Sequence, residues 1–434
     1  MIDQTIFVHI AAYRDAELMP TVVDCLSMAS HPERLRFGIC WQYAKGDSLG
    51  DLIKLPNLQI IPVPFEQSKG ACWARHMAQQ LYAKETFYLQ IDSHHRFEKG
   101  WDDQMIEMLI GLEVDGVKKP ILTAYPPGYD PANDPAGRSK GAIQIDFGSF
   151  NDKTLFSLAS SAIKDADKLT KPVRGRFMAG GFVFARGQYV TDVPYDPNLY
   201  FQGEEMSLSL RAFTHGYDLY HPHKVMLYHH YIRKESPKHW TDHKKEVIPT
   251  LEPGQTWEEL NDQSALRLKH LFSAAGHRYD AITWGPYGLG TERTIRQFEF
   301  FCGIDFGSRR ITKRCLDKQP PEFVHHISDD AWKASLMTYY EHTLEITGEL
   351  FTCDDYDFIY VGFDRADGTN IHCTNIREDS LKALLEKCQN KSAIVPIVSH
   401  FFSEKQPHRW AFWPHSKTKG WTQRLSGLMP HPVG

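Results

Sequence analysis

Apolar runs and amphipathic stretches alternate through the first 125 residues, at the lengths that strands and helices require. Each apolar run is short enough for a buried strand. Strands are predicted at residues 6–12, 37–43, 58–63, 87–91 and 121–125. The helical period is predicted at residues 19–28, 70–84 and 101–112. Strands that alternate with helices in this way predict an α/β fold with a mostly parallel, Rossmann-like sheet covered by helices.

The pattern changes in two steps after residue 125. Prolines and glycines interrupt residues 126–131, and strands are predicted at 177–185 and 225–232 with a helix at 206–215 between them. The stretch 234–310 is irregular and partly helical. Beyond it, an Asp367-Gly368 turn between two apolar runs predicts a hairpin, and residues 393–402 predict a further strand. We therefore expect a catalytic domain over residues 1–310 and a smaller β-rich accessory domain over residues 311–434.

Composition narrows the functional classes. The 434 residues carry a net charge of −5, and Lys and Arg are scattered, so neither nucleic-acid binding nor a basic membrane anchor is expected. No apolar run approaches the ~18 residues of a membrane span, and the first residues enter a strand without a secretory signal. Eight dispersed cysteines without a C-x-x-C pair indicate reduced thiols. A cytoplasmic protein without an integral membrane segment is expected, and a homo-oligomer is compatible with the sequence.

The tetrapeptide Asp92-Ser93-His94-His95 follows the predicted strand 87–91. A carboxylate and an imidazole two residues apart at a strand end can both face the crevice where open α/β sheets bind ligands. One oxygen and one nitrogen ligand suit a divalent ion such as Mn²⁺, which can hold a diphosphate. The alternative is a capping Asp with an incidental His.

Three further segments carry polar or glycine residues at places where a strand or helix begins or ends. Gly180-Gly181 interrupts a strand, either as a bulge or where a ligand approaches the backbone. Glu204-Glu205 opens a helix, where acids complement the helix dipole or bind hydroxyl groups. His229-His230 follows a strand, as a core and a surface histidine or as the source of a third metal ligand.

A glycine-rich turn at residues 284–292 leads into a predicted helix with Arg293 near its start. Backbone N–H groups and a guanidinium in such a segment can close over a phosphate. The segment lacks the Lys-Ser/Thr of a P-loop, and no G-x-G-x-x-G follows a strand, so nucleotide hydrolases, kinases and dinucleotide enzymes are disfavoured.

The order of these motifs resembles that of retaining GT-A-fold glycosyltransferases, the polypeptide N-acetylgalactosaminyltransferases. It is more similar to the cytoplasmic Skp1-type polypeptide α-N-acetylglucosaminyltransferases, which modify hydroxyproline. The segments that carry this second resemblance are 7–15, 92–97 and 287–294, and the likeness covers roughly residues 5–308.

The resemblance implies a set of site residues. Asp92, His94 and His230 would ligate Mn²⁺ or Mg²⁺, with His230 preferred over His229 because Tyr231-Ile232-Arg233 follows it. Catalytic roles would fall to Arg75, Glu204 and Glu205. The donor would contact the following residues: Ala11, Ala12, Tyr13, Arg14, Arg75, Ser93, Gly180, Gly181, Glu204, Arg233 and Arg293.

The implied activity is metal-dependent, retaining transfer of GlcNAc from UDP-GlcNAc to a hydroxyl, including hydroxyproline, Ser or Thr of a protein. A retaining reaction without a clear second carboxylate favours proton transfer from the acceptor to the leaving phosphate. Alternatives are a transferase of capsule, lipopolysaccharide or other glycan synthesis, and an inactive sugar-binding module.

Two departures leave the substrates open. Ser207 stands where the N-acetylgalactosaminyltransferases carry an acid, so the sugar is uncertain, and residues after 311 lack lectin repeats. Trp410, Phe412 and Trp413 have rings that stack on sugars or pack in a core.

Overall fold

The computed structural model describes residues 4–322 and 327–429. The chain divides into two compact units, residues 1–307 with 314–327 and residues 308–313 with 328–434. The boundary predicted after residue 310 falls within residues 308–313, which belong to the second unit although residues 314–327 belong to the first.

The first unit is built from strands that alternate with helices. Its strands are β1 (Ile6–Tyr13), β2 (Leu35–Tyr43), β3 (Leu58–Pro64), β4 (Phe87–Asp92), β5 (His95–Phe97), β6 (Pro120–Thr123), β7 (Ile143–Asn151), β8 (Leu155–Ala162), β9 (Val173–Arg174), β10 (Phe182–Arg186), β11 (Asp218–His221), β12 (Leu227–His229) and β13 (Ile304–Asp305). Its helices are α1 (Leu18–Met28), α2 (Ala71–Gln79), α3 (Trp101–Val114), α4 (Tyr189–Asp192), α5 (Glu204–Thr214), α6 (His239–Asp242), α7 (Trp257–Leu271) and α8 (Ile295–Cys302). Short 3₁₀ turns lie at Pro32–Arg34, Gly50–Lys54, Phe65–Gln67, Pro131–Asn133, Ala166–Lys168, Tyr279–Ala281 and Gly285–Tyr287.

Eight of these strands form one sheet, in the order β3-β2-β1-β4-β10-β6-β11-β9. The pairs among β1 to β4 and the β6–β11 pair are parallel, whereas β10 and β9 run antiparallel to their neighbours. The prediction of an α/β fold with a mostly parallel sheet is confirmed.

The strand order reverses beside β1. The chain passes outward from β1 to β2 and β3, and it then returns to β4 on the other side of β1. Open α/β sheets bind ligands at the carboxyl ends of the strands at such a switch point. There, Ala11 lies beside Asp92 in the parallel register.

Both faces of the sheet are covered, because the central strands are apolar on both sides. On one face Ile6, Val8 and Ile10 of β1 pack with residues of α1 and α3. On the other, Phe7 and Tyr88 pack with residues of α2, α4 and α5.

The observed elements are shorter than several predicted ones. Helix α2 ends at Gln79 rather than near residue 84, and the strand predicted at 225–232 is only Leu227–His229. The β7–β8 hairpin was not predicted, because Ser and Ala dominate β8 and blur its alternation.

The second unit is rich in strands. These are β14 (Arg310–Thr312), β15 (Leu336–Thr347), β16 (Tyr356–Asp364), β17 (Asn370–Ile376), β18 (Ile394–Ser403), β19 (Arg409–Ser416), β20 (Gly420–Trp421) and β21 (Leu425–Leu428). The helices in this part of the chain are α9 (Lys313–Leu316), α10 (Asp329–Ser335) and α11 (Glu378–Lys387), with a 3₁₀ turn at Gly348–Leu350.

Two antiparallel arrangements organise this unit. The β16–β17 hairpin turns around Asp367-Gly368, and β16 also pairs with β19, which carries β20 and β21. Strands β15 and β18 form a second long ladder. Their apolar faces and Leu381 and Leu384 of α11 enclose a core of their own. No described helix of either unit is long and apolar enough to cross a membrane.

Candidate active site

The candidate site begins at the carboxyl end of β4, where the buried strand ends at Asp92. The chain then turns directly into β5, which pairs antiparallel with β12. In this ladder His229 lies opposite His95. Since directly opposed residues project from the same face of a ladder, the register brings the His229 ring toward the tetrapeptide 92–95.

Three donor atoms converge there. The Nε2 atom of His229 lies 3.1 Å from Asp92 Oδ2 and 3.0 Å from His94 Nε2. The His94 Nε2 atom is 4.0 Å from Asp92 Oδ2. Donors that surround one octahedral cation at about 2.1 Å stand about 3 Å apart when adjacent and about 4 Å apart when opposite. Asp92, His94 and His229 therefore fit a single divalent cation.

Asp15 holds the other side of the His94 ring. Its Oδ2 atom lies 2.7 Å from His94 Nδ1 and accepts hydrogen bonds from Ser93 Oγ at 2.6 Å and Arg233 Nη1 at 2.9 Å. Burial opposes the charge on Asp15, but its bonds to His94 and Arg233 hold its pKa below the ordinary value. A carboxylate behind a histidine fixes the tautomer that presents Nε2 to a metal.

His230, the predicted third ligand, lies elsewhere. Its backbone N–H donates to the carbonyl of His94, and its ring packs 5.7 Å from the ring of Tyr129. Successive side chains at a strand end point in opposite directions, so only one of two adjacent histidines can face Asp92. The structure places His229, rather than the predicted His230, beside Asp92.

His95 is the fourth polar group of the cluster. It is 0% exposed, and both ring nitrogens lack a hydrogen-bond partner within the described residues. A ligand atom of His95 lies within 4.8 Å of ligand atoms of both Asp92 and His229. Burial holds the pKa of His95 well below its ordinary value, so the ring adds a neutral nitrogen at the back of the site.

Arg75 of α2 links the cluster to the start of α5. Its Nη2 atom donates to Asp92 Oδ1, and its Nε atom lies 3.1 Å from Glu204 Oε1. Burial alone would raise the pKa of Asp92, but the Arg75 guanidinium and the bond to His229 hold it well below the ordinary value. Asp92 is therefore an ionised carboxylate, and the Arg75 guanidinium that holds it is only 3% exposed.

Glu204 and Glu205 occupy different surroundings despite being neighbours. Glu204 accepts a hydrogen bond from Tyr195 OH at 2.7 Å. Glu205 accepts bonds from Tyr125 OH and, at 3.0 Å, from the backbone N–H of Gly180. Burial raises the pKa of both, and that of Glu205 to about 7.

The glycine pair ahead of β10 makes room for these acids. A Cβ atom on Gly180 would lie 2.8 Å from Glu204 Oε2, and one on Gly181 would lie 2.8 Å from Asp92 Oδ2. Side chains at either position would displace carboxylates that already have fixed partners.

Two cavities meet at this cluster. The smaller cavity, of about 260 Å³, is lined at the end of β1 by Ala11 and Tyr13 and also by Ser93, Arg233 and Trp240. The larger cavity, of about 650 Å³, has among its lining residues Arg75, both glycines and both glutamates. The residues that line both are Ala71, Asp92, Phe201 and His229.

Three predicted donor contacts lie away from these cavities. Ala12 is 0% exposed in the core, and Arg14 pairs with Asp242 at 2.8 Å over the ring of Phe65. Arg293 donates to the carbonyl of Tyr217 and lies over the ring of Phe213.

The glycine-rich turn before Arg293 has a structural task. The Gly290 N–H donates to Thr214 Oγ1, and the Glu292 and Arg293 N–H groups lie at the carbonyl of Thr214. The turn thus donates hydrogen bonds to oxygen atoms at the carboxyl end of α5 and does not face the cluster around Asp92.

The comparison with protein families adds a decisive observation. The family model described as Glycosyltransferase (GlcNAc) matches residues 5–55 and 52–308, well over half of the chain. The chain belongs to this family. Every residue of the candidate metal site and of both cavities lies inside the matched region. The prediction of a glycosyltransferase is confirmed.

Solved structures give more distant likenesses. GalNAc-T7 with UDP, GalNAc and Mn²⁺ is similar with a TM-score of 0.44 and 16% identity, over 68% of this chain and 54% of that one. S. aureus TarS 1–349 is similar with a TM-score of 0.35 and 11% identity, over 61% and 72% of the two chains. Its complex with UDP-GlcNAc gives 0.33 and 12%, over 54% and 60%. The chain thus spans about half the length of GalNAc-T7, and no curated protein matches it significantly.

Several site residues were missed by the sequence reasoning. Asp15, Tyr125 and Tyr195 hold His94, Glu205 and Glu204, respectively. Gln90 donates to the carbonyl of Gly180 and to Tyr195 OH. A polar residue inside the apolar run 87–91 was the available signal, because buried polar groups have hydrogen-bond partners.

Proposed function

We propose that the chain is a metal-dependent, retaining glycosyltransferase that transfers GlcNAc from UDP-GlcNAc to a hydroxyl acceptor. One observation carries the proposal: two of the three residues whose donor atoms suit one divalent cation, Asp92 and His229, line both cavities, and the third, His94, lines the smaller one. A nucleotide sugar has the matching layout, with a diphosphate between a base and a sugar. Asp92, His94 and His229 would hold Mn²⁺ or Mg²⁺, which when bound offsets negative charge on a diphosphate.

In this proposal the smaller cavity takes the nucleotide. Ala11 and Tyr13 at the end of β1 border it, and Trp240 offers a ring to a base. Arg233 and Ser93 also line it, and both bond to Asp15, so they orient His94 as well as meeting the donor.

The larger cavity takes the sugar and the acceptor. The missing side chains at Gly180 and Gly181 let a sugar ring approach the backbone. Glu204 and Glu205 accept bonds from fixed donors and retain free lone pairs for hydroxyl or amide groups of GlcNAc. Arg75 acts as a positioning residue, because it holds Asp92 and Glu204 in place.

The proposed retaining route has no covalent glycosyl-enzyme intermediate. Each glutamate is anchored by an aromatic hydroxyl, and Glu204 also lies at Arg75, which makes both poor nucleophiles. We therefore propose that the proton of the acceptor hydroxyl passes to the leaving diphosphate on the same face of the sugar. The acceptor is a hydroxyl of a protein, including hydroxyproline, or of a glycan.

We also propose a cytoplasmic setting. No disulfide joins any of the eight cysteines, and six of them are buried, which suits a reducing compartment.

The test is release of UDP from UDP-GlcNAc with Mn²⁺, compared with the same assay in EDTA and with UDP-Glc and UDP-GalNAc. Slow hydrolysis without acceptor is expected, with UDP-GlcNAc preferred. The Asp92→Asn variant should lose at least about 100-fold of that rate, whereas Asp103→Asn, on the surface of α3, should lose none.

Equal UDP release by the wild type and Asp92→Asn would overturn the metal site. Binding of UDP-GlcNAc without any turnover, with or without hydroxyl acceptors, would favour the sugar-binding module. The anomeric configuration of a product, read by NMR, tests retention.

A further inference from the structure

One side of the five-stranded sheet in the second unit carries a row of aromatic rings. We call it the aromatic face, and it consists of Phe358, Tyr360, Trp413, His415 and Trp421. The register pairs Phe358 with His415, Tyr360 with Trp413, and His415 with Trp421. Neighbouring ring centroids along the row lie 4.8 Å, 5.1 Å and 4.3 Å apart, from Phe358 through His415 and Trp421 to Trp413.

These rings lie on the side of the sheet away from the core of the unit. The alternate residues Ile359, Val361 and Phe412 are 0% exposed and pack in that core. The three aromatic residues for which the sequence left sugar stacking or core packing open therefore separate. Phe412 is a core residue, Trp410 packs against that core, and Trp413 belongs to the aromatic face.

The rings of the aromatic face pack against one another, and Trp421 stands nearly perpendicular to Phe358 and His415. Phe358 and His415 stack with an angle of 15° between their planes. The ring of Tyr360 lies over Gly362, where a side chain would overlap it. Trp421 at the end of the row is 44% exposed. The other four rings are half-buried. An exposed tryptophan beside half-buried rings forms an apolar patch of the kind that marks an interaction surface.

The unpaired charge at this face is positive. The Arg377 guanidinium lies 4.5 Å over the Phe358 ring, and that of Arg424 lies 5.4 Å over the Trp413 ring. Both arginines are exposed, and neither pairs with a carboxylate of the described residues. The acid at the face, Asp357, is already held by His415 Nδ1 at 2.7 Å. A guanidinium with a free edge binds carboxylate or phosphate groups.

We propose that the aromatic face binds a saccharide chain bearing carboxylate or phosphate groups. A sugar ring stacks on the exposed Trp421, and Arg377 and Arg424 bind the anionic substituents. The choice of a saccharide over another anionic ligand rests on the proposed function, because a transferase benefits from retaining the polymer whose hydroxyl it modifies. The aromatic face itself is independent of the donor site.

Single-stranded nucleic acid is the competing ligand, since bases also stack on aromatic rings. Such binding relies on a continuous basic groove that follows the phosphates. Two separated arginines on a chain with a net charge of −5 do not form one. The balance of stacking surface over charge favours a sparsely charged saccharide.

Affinity electrophoresis of the full chain tests the proposal. The probes in the gel are hyaluronan (carboxylate), phosphomannan (phosphate), neutral dextran and oligo-dT. We expect retardation by hyaluronan or phosphomannan that weakens with added NaCl, and the active polymer identifies the anionic group. The Trp421→Ala variant should bind about tenfold more weakly, the loss typical of one stacking ring. The Arg377→Gln/Arg424→Gln double variant should lose the salt-sensitive part and keep its fold.

Matched controls use side chains outside the face. Ile394→Ala removes an apolar side chain that is 65% exposed on β18, and Lys387→Gln removes an exposed cation on α11. Both should bind as the wild type does. UDP release should be unchanged in every variant, so failure of the donor assay in the wild type bears on the proposed function alone.

Three results would overturn the proposal. These are no retardation by either anionic polysaccharide, equal retardation of the wild type and the face variants, and stronger binding of oligo-dT that the same variants abolish. Salt-independent retardation by dextran, equal to that by the anionic polysaccharides, would overturn the proposed role of the anionic groups.

Discussion

The two cavities of the first unit share Asp92 and His229 but are built from different groups. Tyr13, Tyr200 and Trp240 give the smaller cavity aromatic walls, and His239 is kept neutral by burial, which lowers its pKa. The lining of the larger cavity includes two glutamates and three glycines, which offer hydrogen-bond acceptors beside bare backbone. Flat, apolar walls suit a heterocycle, and acceptors without covering side chains suit a polyol. Changes in one cavity should therefore leave the ligand of the other largely unaffected.

The largest effect is expected where the cavities meet. His229→Ala should weaken Mn²⁺ binding by about 100-fold, because it removes one of three converging donors. His230→Ala should change that affinity less than threefold, because its ring faces Tyr129. Electron paramagnetic resonance of Mn²⁺ measures both without turnover. A greater loss in His230→Ala would restore the sequence-based choice.

A methyl group next to Asp92 in the larger cavity should have the next largest effect. Gly181→Ala places a carbon 2.8 Å from Asp92 Oδ2, and Asp92 cannot yield because Arg75 and His229 hold it. UDP release should fall about 30-fold, as expected for a small misplacement of a reacting geometry. Gly111→Ala, in α3 with open space around it, is the control and should keep full activity. Equal rates in the two variants would show that Asp92 moves freely.

The smaller cavity can be altered by itself. Trp240→Ala should weaken UDP binding about tenfold by removing a stacking surface, without changing Mn²⁺ affinity. Glu205→Gln, in the larger cavity, should leave UDP binding within twofold. Isothermal titration with UDP and Mn²⁺ checks both. The reverse pattern would exchange the assignments of the two cavities.

The smallest effect concerns the pH dependence of the larger cavity. Burial raises the pKa of Glu205 to about 7, so the folded chain keeps a proton that the unfolded chain has released. The contribution to stability is then greatest at low pH and is lost as the pH rises toward 7. Between pH 6 and pH 7 the free energy of unfolding should fall by about 1 kcal/mol more in the wild type than in Glu205→Gln. Urea denaturation at both pH values measures it, and parallel changes would place the pKa outside this range.

The sequence predicted those features of the site that depend on neighbouring residues. Asp92 and His94 follow a strand that is strongly apolar, and Gly180, Gly181, Glu204 and Glu205 are marked by their own unusual pairing. Their positions at element ends could be predicted from local pattern alone.

The remaining features depend on pairing between distant segments. Whether His229 or His230 faces Asp92 is decided by the register of β12 against β5, and a shift of one residue would exchange them. Arg293 carries the charge expected of a phosphate ligand. It nevertheless packs on the ring of Phe213, because the glycine-rich turn before it is hydrogen-bonded to the end of α5. Such choices are made by tertiary contacts that a single sequence does not display.

The carboxylate of Asp15 also couples formation of the site to folding of the chain. Asp15 contacts both His94 and Arg233, and Arg233 lies 218 positions after Asp15 in the sequence. The cluster therefore exists only after the ends of β1, β4 and β12 have come together. An unfolded chain has no comparable cluster, and a cation that binds the folded form should stabilise it by about 2.7 kcal/mol at a concentration 100 times its Kd. The melting temperature in Mn²⁺ and in EDTA would then report the integrity of the whole unit. Under the proposed metal dependence, a cell short of that cation would lose stability of the folded enzyme as well as activity.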